Sequence, residues 1–345
     1  MGKAVNMAAI AARVGCSVAA VSLALRGSSR VGEARRAEIM RTAKAMGYRP
    51  NPLVSALVAS RHTRKRHLEV IAVITKFDEP LANWRAPQSF FSPLFDGMLE
   101  RATELGFRLE EFPAFGAGAP NGKRLSEIFR NRGIHGVILF PGGGLARHYP
   151  ELDWGKFATV AAAFNDPQLP VHRTAADNAA GMEECLGELH RRGYRRLGLA
   201  FSSTLDMRTR YGFCGRFLAW REQQAKGARI PLLEEVEEGG RRAEFVRWVR
   251  RWRPDCVLGA EAEQAEWLRH EGLRIPEDVG FALVPVRELK DVAGIDNDPA
   301  GVGRLTVGLV ARELFLNHYG LPAVPESSYL AARWVNGPTV RGPGL

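Results

Sequence analysis

The stretch Met7-Ala-Ala-Ile-Ala-Ala-Arg-Val-Gly-Cys-Ser-Val-Ala-Ala-Val-Ser-Leu-Ala-Leu-Arg26 has the pattern of two short helices joined by a tight turn. Gly15 stands where a chain leaving a helix needs a left-handed residue, and Ser17 is placed to cap the second helix. The apolar residues recur at helical spacing, on the first helix at Met7, Ile10 and Val14 and on the second at Val18, Val21 and Leu25. The stretch therefore predicts a helix-turn-helix.

A third helical pattern runs from Glu33 to Met46 and is stopped by Gly47, with a proline just beyond it. It carries Ile39 and Ala43 on the same face as Met46. Three helices of this length can bury one small core. On this pattern alone, a helical domain with no role in nucleic-acid binding remains an alternative.

The positive charge of the chain is concentrated at its amino-terminal end. Residues 1–67 contain thirteen Lys or Arg and two acidic residues, a formal charge of +11. The 35 basic and 36 acidic residues of 68–345 leave the rest close to neutral. Lys and Arg contacts to phosphate supply most sequence-independent affinity for nucleic acid. No helix here resembles the aromatic-anchored type that lies on membranes, so the charge favours nucleic acid over a lipid surface.

Length and composition predict a small domain attached to a larger body in a cytoplasmic protein. The chain has 345 residues, of which 46% are hydrophobic, and it shows neither an apolar signal stretch nor a run long enough to span a membrane. Four scattered cysteines without a Cys-x-x-Cys pair, and eight histidines without His-Glu-x-x-His spacing, predict no disulfide framework, metal site or cofactor.

Residues 51–67 form a candidate hinge between the helix-turn-helix domain, 1–50, and the body, 68–345. Four apolar residues, from Leu53 to Val58, give a short helix a surface that it could not bury alone. A basic run follows, from Arg61 to His67. The segment could order against its copy from a second subunit over DNA, or it could pack on its own body.

From Leu68 onward, apolar strand patterns alternate with amphipathic helices. The predicted strands are 70–75, 108–112, 136–140, 158–164, 196–201, 256–259 and 280–284; the predicted helices are 92–105, 124–132, 176–191, 210–226, 241–251, 261–270 and 299–317. Such alternation predicts an α/β body of two doubly wound parallel-sheet lobes with a ligand cleft. We place the first lobe at about 68–164 and 295–320, and the second at about 165–294 and 321–335.

The amino-terminal segment resembles the lactose-repressor type (LacI/GalR) family of bacterial transcription regulators. Ile10-Ala-Ala-Arg-Val-Gly-Cys-Ser17 is similar to the family's Ile-Ala-x-x-Ala-Gly-Val-Ser, Val21-Ser-Leu-Ala-Leu-Arg-Gly27 to Val-Ser-x-x-Leu-Asn-Gly, and Gly47-Tyr-Arg-Pro-Asn51 to Gly-Tyr-x-Pro-Asn. In the body, Asp177-Asn-Ala-Ala-Gly181 and Ile275-Pro-Glu-Asp-Val279 resemble further blocks. The order and spacing of these blocks agree, so the resemblance covers nearly the whole chain, including a body like that of periplasmic binding proteins.

The resemblance implies a homodimer whose recognition helices enter successive major grooves of a near-palindromic operator. The positions it assigns to DNA are Ser17, Val18, Ala19, Ser22, Leu23, Arg26, Arg30, Tyr48, Asn51 and Leu57. Leu57 matches the hinge leucine that wedges into the minor groove. Leu23 departs from the usual Arg, and apolar side chains can read thymine methyl groups but cannot identify guanine by hydrogen bonds. We therefore expect specificity to rest on Arg26, Leu57 and DNA shape.

The resemblance also implies a small-molecule effector, a sugar or related metabolite, bound between the lobes. The candidate contacts are Trp84, Phe90, Asp177, Arg208, Arg210 and Glu261, with Arg208 preferred to Arg210 as the ligand-clamping arginine. Helix capping is the alternative for Asp177, and packing is the alternative for the two aromatic residues. Pro285 and Val286 stand where many members carry acids, so the site departs from the usual sugar cage.

The motifs of an enzyme are missing from the sequence. Gly142-Gly-Gly144 follows a predicted strand, but neither a phosphate-binding Gly-Lys-Ser/Thr nor a Gly-x-Ser-x-Gly nucleophile elbow occurs. We therefore predict no catalytic residues and a sequence-specific regulator, a repressor by the family's commoner outcome. The alternatives are a solute-binding or enzymatic α/β protein with a basic appendage, and an architectural DNA binder that senses no effector.

Overall fold

The structure is a computed structural model that describes residues 7–25, 31–46, 68–84, 90–142, 147–163, 168–226, 229–234, 241–286 and 291–342. The chain divides into two compact units, Met1–His67 and Leu68–Leu345. We call the helices of the first unit the head and the second unit the body.

In the part of the head that the structure describes, three helices surround one apolar core. They are α1 (Met7–Val14), α2 (Val18–Leu25) and α3 (Glu33–Ala45). The buried residues are Ile10, Ala11, Val14, Val21, Ala24, Ile39 and Ala43, with Met46 packed against them. Val18 does not belong to this core, because the first turn of α2 faces solvent and leaves 44% of Val18 exposed. The predicted core face of the second helix is wrong at that residue.

The first sheet of the body is parallel throughout. Its strands are β1 (Glu69–Thr75), β2 (Phe107–Pro113), β3 (Gly136–Leu139), β4 (Ala158–Ala162), β5 (His172–Asp177) and β11 (Ser327–Ala331), in the order β11-β5-β4-β3-β1-β2. The helices α4 (Phe91–Leu105), α5 (Gly122–Asn131) and α11 (Pro299–Leu316) cover it. This sheet and its helices form the first lobe.

The second sheet repeats the same order and is parallel except at one edge. Its strands are β6 (Leu197–Phe201), β7 (Leu233–Glu234), β8 (Cys256–Gly259), β9 (Gly280–Val286), β10 (Ala293–Asp296) and β12 (Arg333–Val335), in the order β12-β10-β9-β8-β6-β7, with β12 antiparallel to β10. The helices of this second lobe are α6 (Asn178–Arg191), α7 (Ser203–Arg208), α8 (Gly212–Glu222), α9 (Arg241–Trp252) and α10 (Glu263–His270). The predicted doubly wound α/β class is confirmed.

The chain passes between the lobes three times, and this corrects the predicted lobe boundaries. It crosses after β5 at Asp177, after β10 at Asp296 and after β11 at Ala331. Strands β5 and β11 therefore belong to the first lobe, whereas the prediction assigned 165–294 and 321–335 to the second. Most of β5 is buried and it pairs on both sides, with β4 and with β11, which sequence spacing did not reveal.

The same pairing corrects one helix boundary. The predicted helix 176–191 begins only at Asn178, because Ala176 and Asp177 are paired with Leu330 and Ala331 as strand residues. The predicted helix 210–226 corresponds to α8 alone, which begins only at Gly212 because Arg210 and Tyr211 have a left-handed backbone conformation, and α7 was not predicted. The other predicted strands and helices occur with bounds shifted by a few residues at most, and the strands at 172–177, 233–234, 293–296, 327–331 and 333–335 were not predicted.

Candidate nucleic-acid interface and effector cleft

The turn between α1 and α2 has the geometry that the sequence predicts. Gly15 has a φ of +67°, and the N–H of Cys16 donates to the carbonyl oxygen of Ala11 at 3.0 Å. The Ser17 hydroxyl accepts a hydrogen bond from the N–H of Ala20 at 3.1 Å, which caps α2. Two short helices are thus fixed at a defined angle.

Arg35 of α3 holds this turn from the other side of the head. Its guanidinium donates to the carbonyl oxygens of Val14 and Gly15 at 3.0 and 2.9 Å, and it pairs with Glu38 at 2.9 Å. These carbonyls lie at the end of α1, where the helix dipole favours a cation. This role of Arg35 was not predictable from the sequence, because no local pattern joins it to a turn twenty residues away.

The first turn of α2 presents an apolar surface to solvent. Val18 and Ala19 are exposed, and Leu23 is half-buried one turn further along the helix. Ser22 lies in α2, but its side chain is not among those described. Five other predicted DNA contacts lie outside the described residues: Arg26, Arg30, Tyr48, Asn51 and Leu57.

In the body, the carboxyl ends of the strands of both sheets lie at the interlobe crossovers. Asp177, at the end of β5, is the register partner of Ala331, at the end of β11, and Asp296, at the end of β10, pairs with Arg333. We call the space between these two sheet edges the effector cleft. In parallel sheets with this strand order, ligands bind at the place where the sequence order of the strands reverses, here between β1 and β3 and between β6 and β8.

Aromatic side chains fill the switch point of the first lobe. Phe77, directly after β1, lies against the backbone of Gly142, where an added Cβ would collide with the ring. The ring of Phe77 meets Phe91 edge to face at 5.2 Å, and Phe91 lies 6.0 Å from Phe140. Phe77 and Phe140 are buried. This edge of the cleft is therefore largely apolar.

Two basic residues tie the loops that follow β1 and β3. The ammonium group of Lys76, which is fully buried, donates to the carbonyl oxygen of Arg147 at 2.7 Å, and the Arg147 guanidinium donates to that of Lys76 at 3.0 Å. Arg147 also forms a bidentate pair with Asp78, at 2.9 and 2.8 Å. The hydrogen bond from Arg147 lowers the pKa of the Asp78 carboxyl. Lys76 was not predicted as a site residue from the sequence.

A small cavity lies at the switch point of the second lobe. Phe201, Ser202 and Ala260 line it at the strand ends, and Trp267 lines it from α10. Glu261, a predicted effector contact, lies at this cavity and pairs with Arg241 at 3.2 Å. Its carboxylate is thus already engaged by the protein.

The crossover itself is built from three polar residues. The Asp177 carboxylate caps α6 by accepting from the N–H of Ala180 at 3.0 Å, which is the helix-capping role given above as the alternative to effector contact. The next residue, Asn178, accepts from the amide of Asn297 at 2.8 Å, and both side chains are buried. The Oδ1 of Asn297 has no hydrogen-bond partner among the described residues. Gly212 packs closely against Asn178, which brings the start of α8 to the crossover.

The turn between α7 and α8 carries both candidate arginines. Arg210 is exposed and already engaged, whereas Arg208 is half-buried and its Nε has no hydrogen-bond partner in the part of the chain described. Buried Asp206 organises the turn, because its Oδ1 accepts from the N–H of Cys214 at 3.2 Å and from the Thr209 hydroxyl at 3.3 Å. Asp206 is a positioning residue that sequence reasoning missed; a lone Asp in a helical pattern gives no such signal.

The two aromatic candidates stand at the other side of the cleft. Phe90 packs partly buried against the first-lobe core, with its ring 6.0 Å from Phe91, so packing accounts for it. Trp84 ends a short 3-10 helix, and its side chain is not among those described. The Glu111 carboxylate holds this helix by accepting from the N–H of Leu81 at 2.8 Å, and burial raises its pKa.

No described helix is long and apolar enough to cross a membrane. Among the described residues, no group of three or more His, Cys, Asp or Glu side chains could hold a metal ion.

The head and the body both have known counterparts. The family described as bacterial regulatory proteins, lacI family, matches residues 6–51. The chain is similar in structure to the transcriptional regulator CelR in complex with cellobiose, with a TM-score of 0.54, 18% identity and coverage of 97% of this chain and 99% of that one. No curated protein sequence matches the chain significantly.

Two further solved structures share the fold. One is the lac repressor dimer bound to operator and the anti-inducer ONPF, with a TM-score of 0.56, 17% identity and coverage of 99% and 100%. The other is a putative LacI-family regulator from Rhizobium etli, with a TM-score of 0.57, 15% identity and coverage of 80% and 100%.

The helix-turn-helix head, which matches a family of bacterial regulatory proteins, defines the class of DNA-binding transcriptional regulators. Within that class, the head is similar to those of the lacI family, whose model it matches, and the body shares its fold with solved LacI-type regulators. The resemblance predicted from the sequence is confirmed.

Proposed function

We propose that the chain is a transcriptional repressor that binds a near-palindromic operator as a homodimer and is controlled by a small molecule in the effector cleft. The observation that carries this proposal is the head that matches the lacI-family model, on a body of two six-stranded sheets joined by three crossovers. The lac repressor structure, a dimer on its operator, supports the dimer and the operator as partners. Nothing in the proposal requires catalysis, and a regulator of bacterial genes works in the cytoplasm.

On the DNA side, we assign base contacts to the exposed first turn of α2. Val18 and Ala19 can contact thymine methyl groups in the major groove, and Ser17 and Ser22 can donate to phosphate or base edges. Arg26 and Leu57 are proposed to supply the rest of the sequence preference. Arg30, Tyr48 and Asn51 are proposed to position the head on the backbone.

On the effector side, the proposed ligand lies at the crossover. Arg208 is the first contact, with Asp177, Glu261 and Trp84 around it and with Phe90 and Arg210 as secondary contacts. CelR holds cellobiose, which supports a sugar or related metabolite as the starting class. Binding of the ligand would close the two lobes and change the population of DNA-binding dimers. The free energy of this change is limited by the difference between the ligand's affinities for the two states.

Selection of DNA sites from a random duplex pool with the full-length chain tests this function. We expect enrichment of a near-palindrome that is bound on the order of a thousand times more tightly than random DNA at near-physiological salt. The double variant Arg26→Ala, Leu57→Ala should still bind DNA but lose most of this preference. Equal binding to selected and scrambled duplexes would instead identify an architectural DNA binder.

A further inference from the structure

Arginine side chains from three segments meet where β6 and β8 begin, at the edge of the second sheet opposite the strand ends. The guanidinium of Arg196 donates to the carbonyl oxygen of Trp252 at 2.5 Å, which joins the start of β6 to the end of α9. The N–H of Arg341 donates to the hydroxyl of Tyr194 at 2.9 Å, and Arg192 donates to the carbonyl oxygen of Arg341 at 2.7 Å. We call this surface the arginine edge, and its arginines are Arg192, Arg195, Arg196, Arg251, Arg253 and Arg341.

Four of these side chains are exposed and have no carboxylate partner in the part of the chain that the structure describes: Arg195, Arg251, Arg253 and Arg341. Arg195 donates to backbone carbonyl oxygens. The guanidinium of Arg251 lies over the ring of Trp252 at 5.2 Å, and that of Arg341 over the ring of Tyr194 at 4.5 Å. These contacts orient the four groups without neutralising them.

The negative charge at the arginine edge is smaller than the positive charge. Glu188 lies 3.5 Å from Arg192, and the carboxylate of Asp255 accepts from two backbone N–H groups. The carbonyl ends of α6 and α9 add about half a unit of negative charge each. At the neighbouring start of β9, Asp278 is bound by Arg274 at 2.8 Å. The six guanidinium groups therefore leave a local positive surplus.

Hydrogen bonds hold several of these guanidinium groups in place. Arg192 donates to Oδ1 of Asn336 at 2.6 Å, and Arg195 donates to the carbonyl oxygen of His190 at 2.6 Å. A guanidinium has five N–H donors, so one that binds a carbonyl oxygen keeps others for a second acceptor. Because these long side chains are already ordered, an anion that binds them meets a smaller cost in conformational entropy.

The arginine edge lacks the apolar surface that a protein or a membrane would cover. None of the large apolar side chains exposed in the described part of the chain belongs to it. Protein interfaces have an apolar centre, and membrane-surface helices anchor through apolar side chains. A phosphate backbone needs neither, because arginine pairs with phosphate through parallel hydrogen bonds and releases counterions. The surface therefore fits nucleic acid best.

We propose that the arginine edge binds the phosphate backbone of duplex DNA without regard to sequence, as a DNA site in addition to the head. This inference goes beyond the proposed function, which assigns DNA to the head alone. A chain with both sites can hold two DNA segments at once. Affinity at the arginine edge should fall about 100-fold between 50 and 200 mM salt if four phosphates are contacted.

A capture assay with the full-length chain tests the proposal. A short duplex is fixed to beads and saturated with protein, unbound protein is washed away, and a second, labelled duplex is added at about 50 mM salt. We expect the wild-type chain to retain the labelled duplex. The triple variant Arg195→Gln, Arg251→Gln, Arg253→Gln should retain about tenfold less, compared at equal amounts of bead-bound protein.

A second triple variant serves as the matched control. Arg108→Gln, Arg124→Gln, Arg269→Gln removes the same charge from exposed arginines of the body that have carboxylate partners, and it should retain as much labelled duplex as the wild type.

A single variant covers the case in which the first triple variant does not fold, as judged by its thermal midpoint. The Arg253 side chain makes no hydrogen bond or ion pair with the described residues, so Arg253→Gln should fold. It should make the salt dependence of capture shallower by about one unit of log affinity per log salt.

Three results would overturn the proposal. They are no retention of the labelled duplex by the wild type at low salt, undiminished retention by the arginine-edge variant, and stronger displacement by single-stranded RNA than by unlabelled duplex at equal phosphate concentration. The DNA selection is a separate measurement. A chain that captures a second duplex without selecting an operator keeps this inference and loses the proposed function, and the opposite pair of results does the reverse.

Discussion

Single side chains fix the two turns on which the proposed activities depend. In the head, Ser17 caps α2 and Arg35 binds the last carbonyls of α1. In the body, Asp206 fixes the turn that presents Arg208. All three act through backbone groups that would otherwise lack partners, so their replacement should cost more than the loss of an exposed ion pair.

Arg35→Ala should loosen the helix-turn-helix without unfolding the body. Two charge-assisted hydrogen bonds to Val14 and Gly15 are lost, and since the side chain is partly exposed we expect a cost of about 1 kcal/mol to the head. Hydrogen exchange of the α1 and α2 amides should become faster and DNA binding weaker. Arg41→Ala removes the same charge from an exposed position of α3 and provides the control. Equal exchange rates in the two variants would contradict the role assigned to Arg35.

Tyr194 predicts a loss of stability in strong base. Its hydroxyl, buried in the second lobe, accepts from the N–H of Arg341 at 2.9 Å, and burial raises its pKa from 10.0 to about 12. Because the folded pKa lies above the unfolded one, the stabilisation is complete below pH 10 and disappears as the pH rises to about 12. The free energy of unfolding, measured in urea, should therefore fall more between pH 9 and pH 11 for the wild type than for Tyr194→Phe, by about 1 kcal/mol. The same change in the free energy of unfolding with pH in both proteins would exclude this contribution of Tyr194.

At the scale of elements, close helix packing holds the first lobe together. Helices α4 and α11 approach each other through glycine, because an added Cβ on Gly97 would collide with the carbonyl oxygen of Ala300 and one on Gly303 with that of Leu94. Two backbones can pack this closely only where no side chain separates them. The helix that returns from the second lobe is thereby fixed to the helix that opens the first.

Gly303→Ala should destabilise the first lobe by about 2 kcal/mol or more, because the new methyl group overpacks a backbone contact. Gly308 lies on the same helix with open space around its Cβ position. Gly308→Ala should instead stabilise α11 by about 0.5–1 kcal/mol, through helix propensity. Thermal unfolding of the two variants compares these effects. A similar change of midpoint in both would show that the α4 and α11 contact is not tight.

At the scale of the whole molecule, charge separates the two tasks. The 1–67 segment carries +11, whereas the rest is close to neutral, so the proposed operator affinity and the proposed effector binding rest on different parts of the chain. Electrostatic attraction to the phosphates of the operator belongs to the first part alone. Any coupling between them must therefore come from geometry.

The dependence of binding on salt should differ between the two sites. Operator affinity should fall about 10³- to 10⁵-fold between 50 and 200 mM salt if 6–10 phosphates are contacted. Fluorescence anisotropy with labelled duplex measures this slope. Lys3→Gln with Arg13→Gln should make the slope shallower if these residues reach phosphate, whereas Arg269→Gln on the body should leave it unchanged. A flat salt dependence of the wild type would contradict phosphate binding by the basic segment.

The sequence by itself determined most of the architecture. Helical periodicity, the turn glycine and the cap serine defined the head, and alternating strands and helices defined two doubly wound lobes, because these features depend on residues close together in the chain. The charge of the head and the likeness to the family identified the class of protein. The strands 172–177 and 327–331 were not predicted. They pair with each other across about 150 positions of the chain, and local sequence patterns do not report such pairing.

Only the tertiary structure decided which candidate site residues remain available to a ligand. Asp177 is used as a cap, Glu261 is paired, Phe90 is packed, and Arg208 retains an unpartnered nitrogen. Arg35 and Asp206 likewise act as positioning residues through backbone groups that only the fold brings within hydrogen-bond distance of them. Sequence specifies which groups exist, but whether a donor or an acceptor is satisfied depends on what the fold places within hydrogen-bond distance of it.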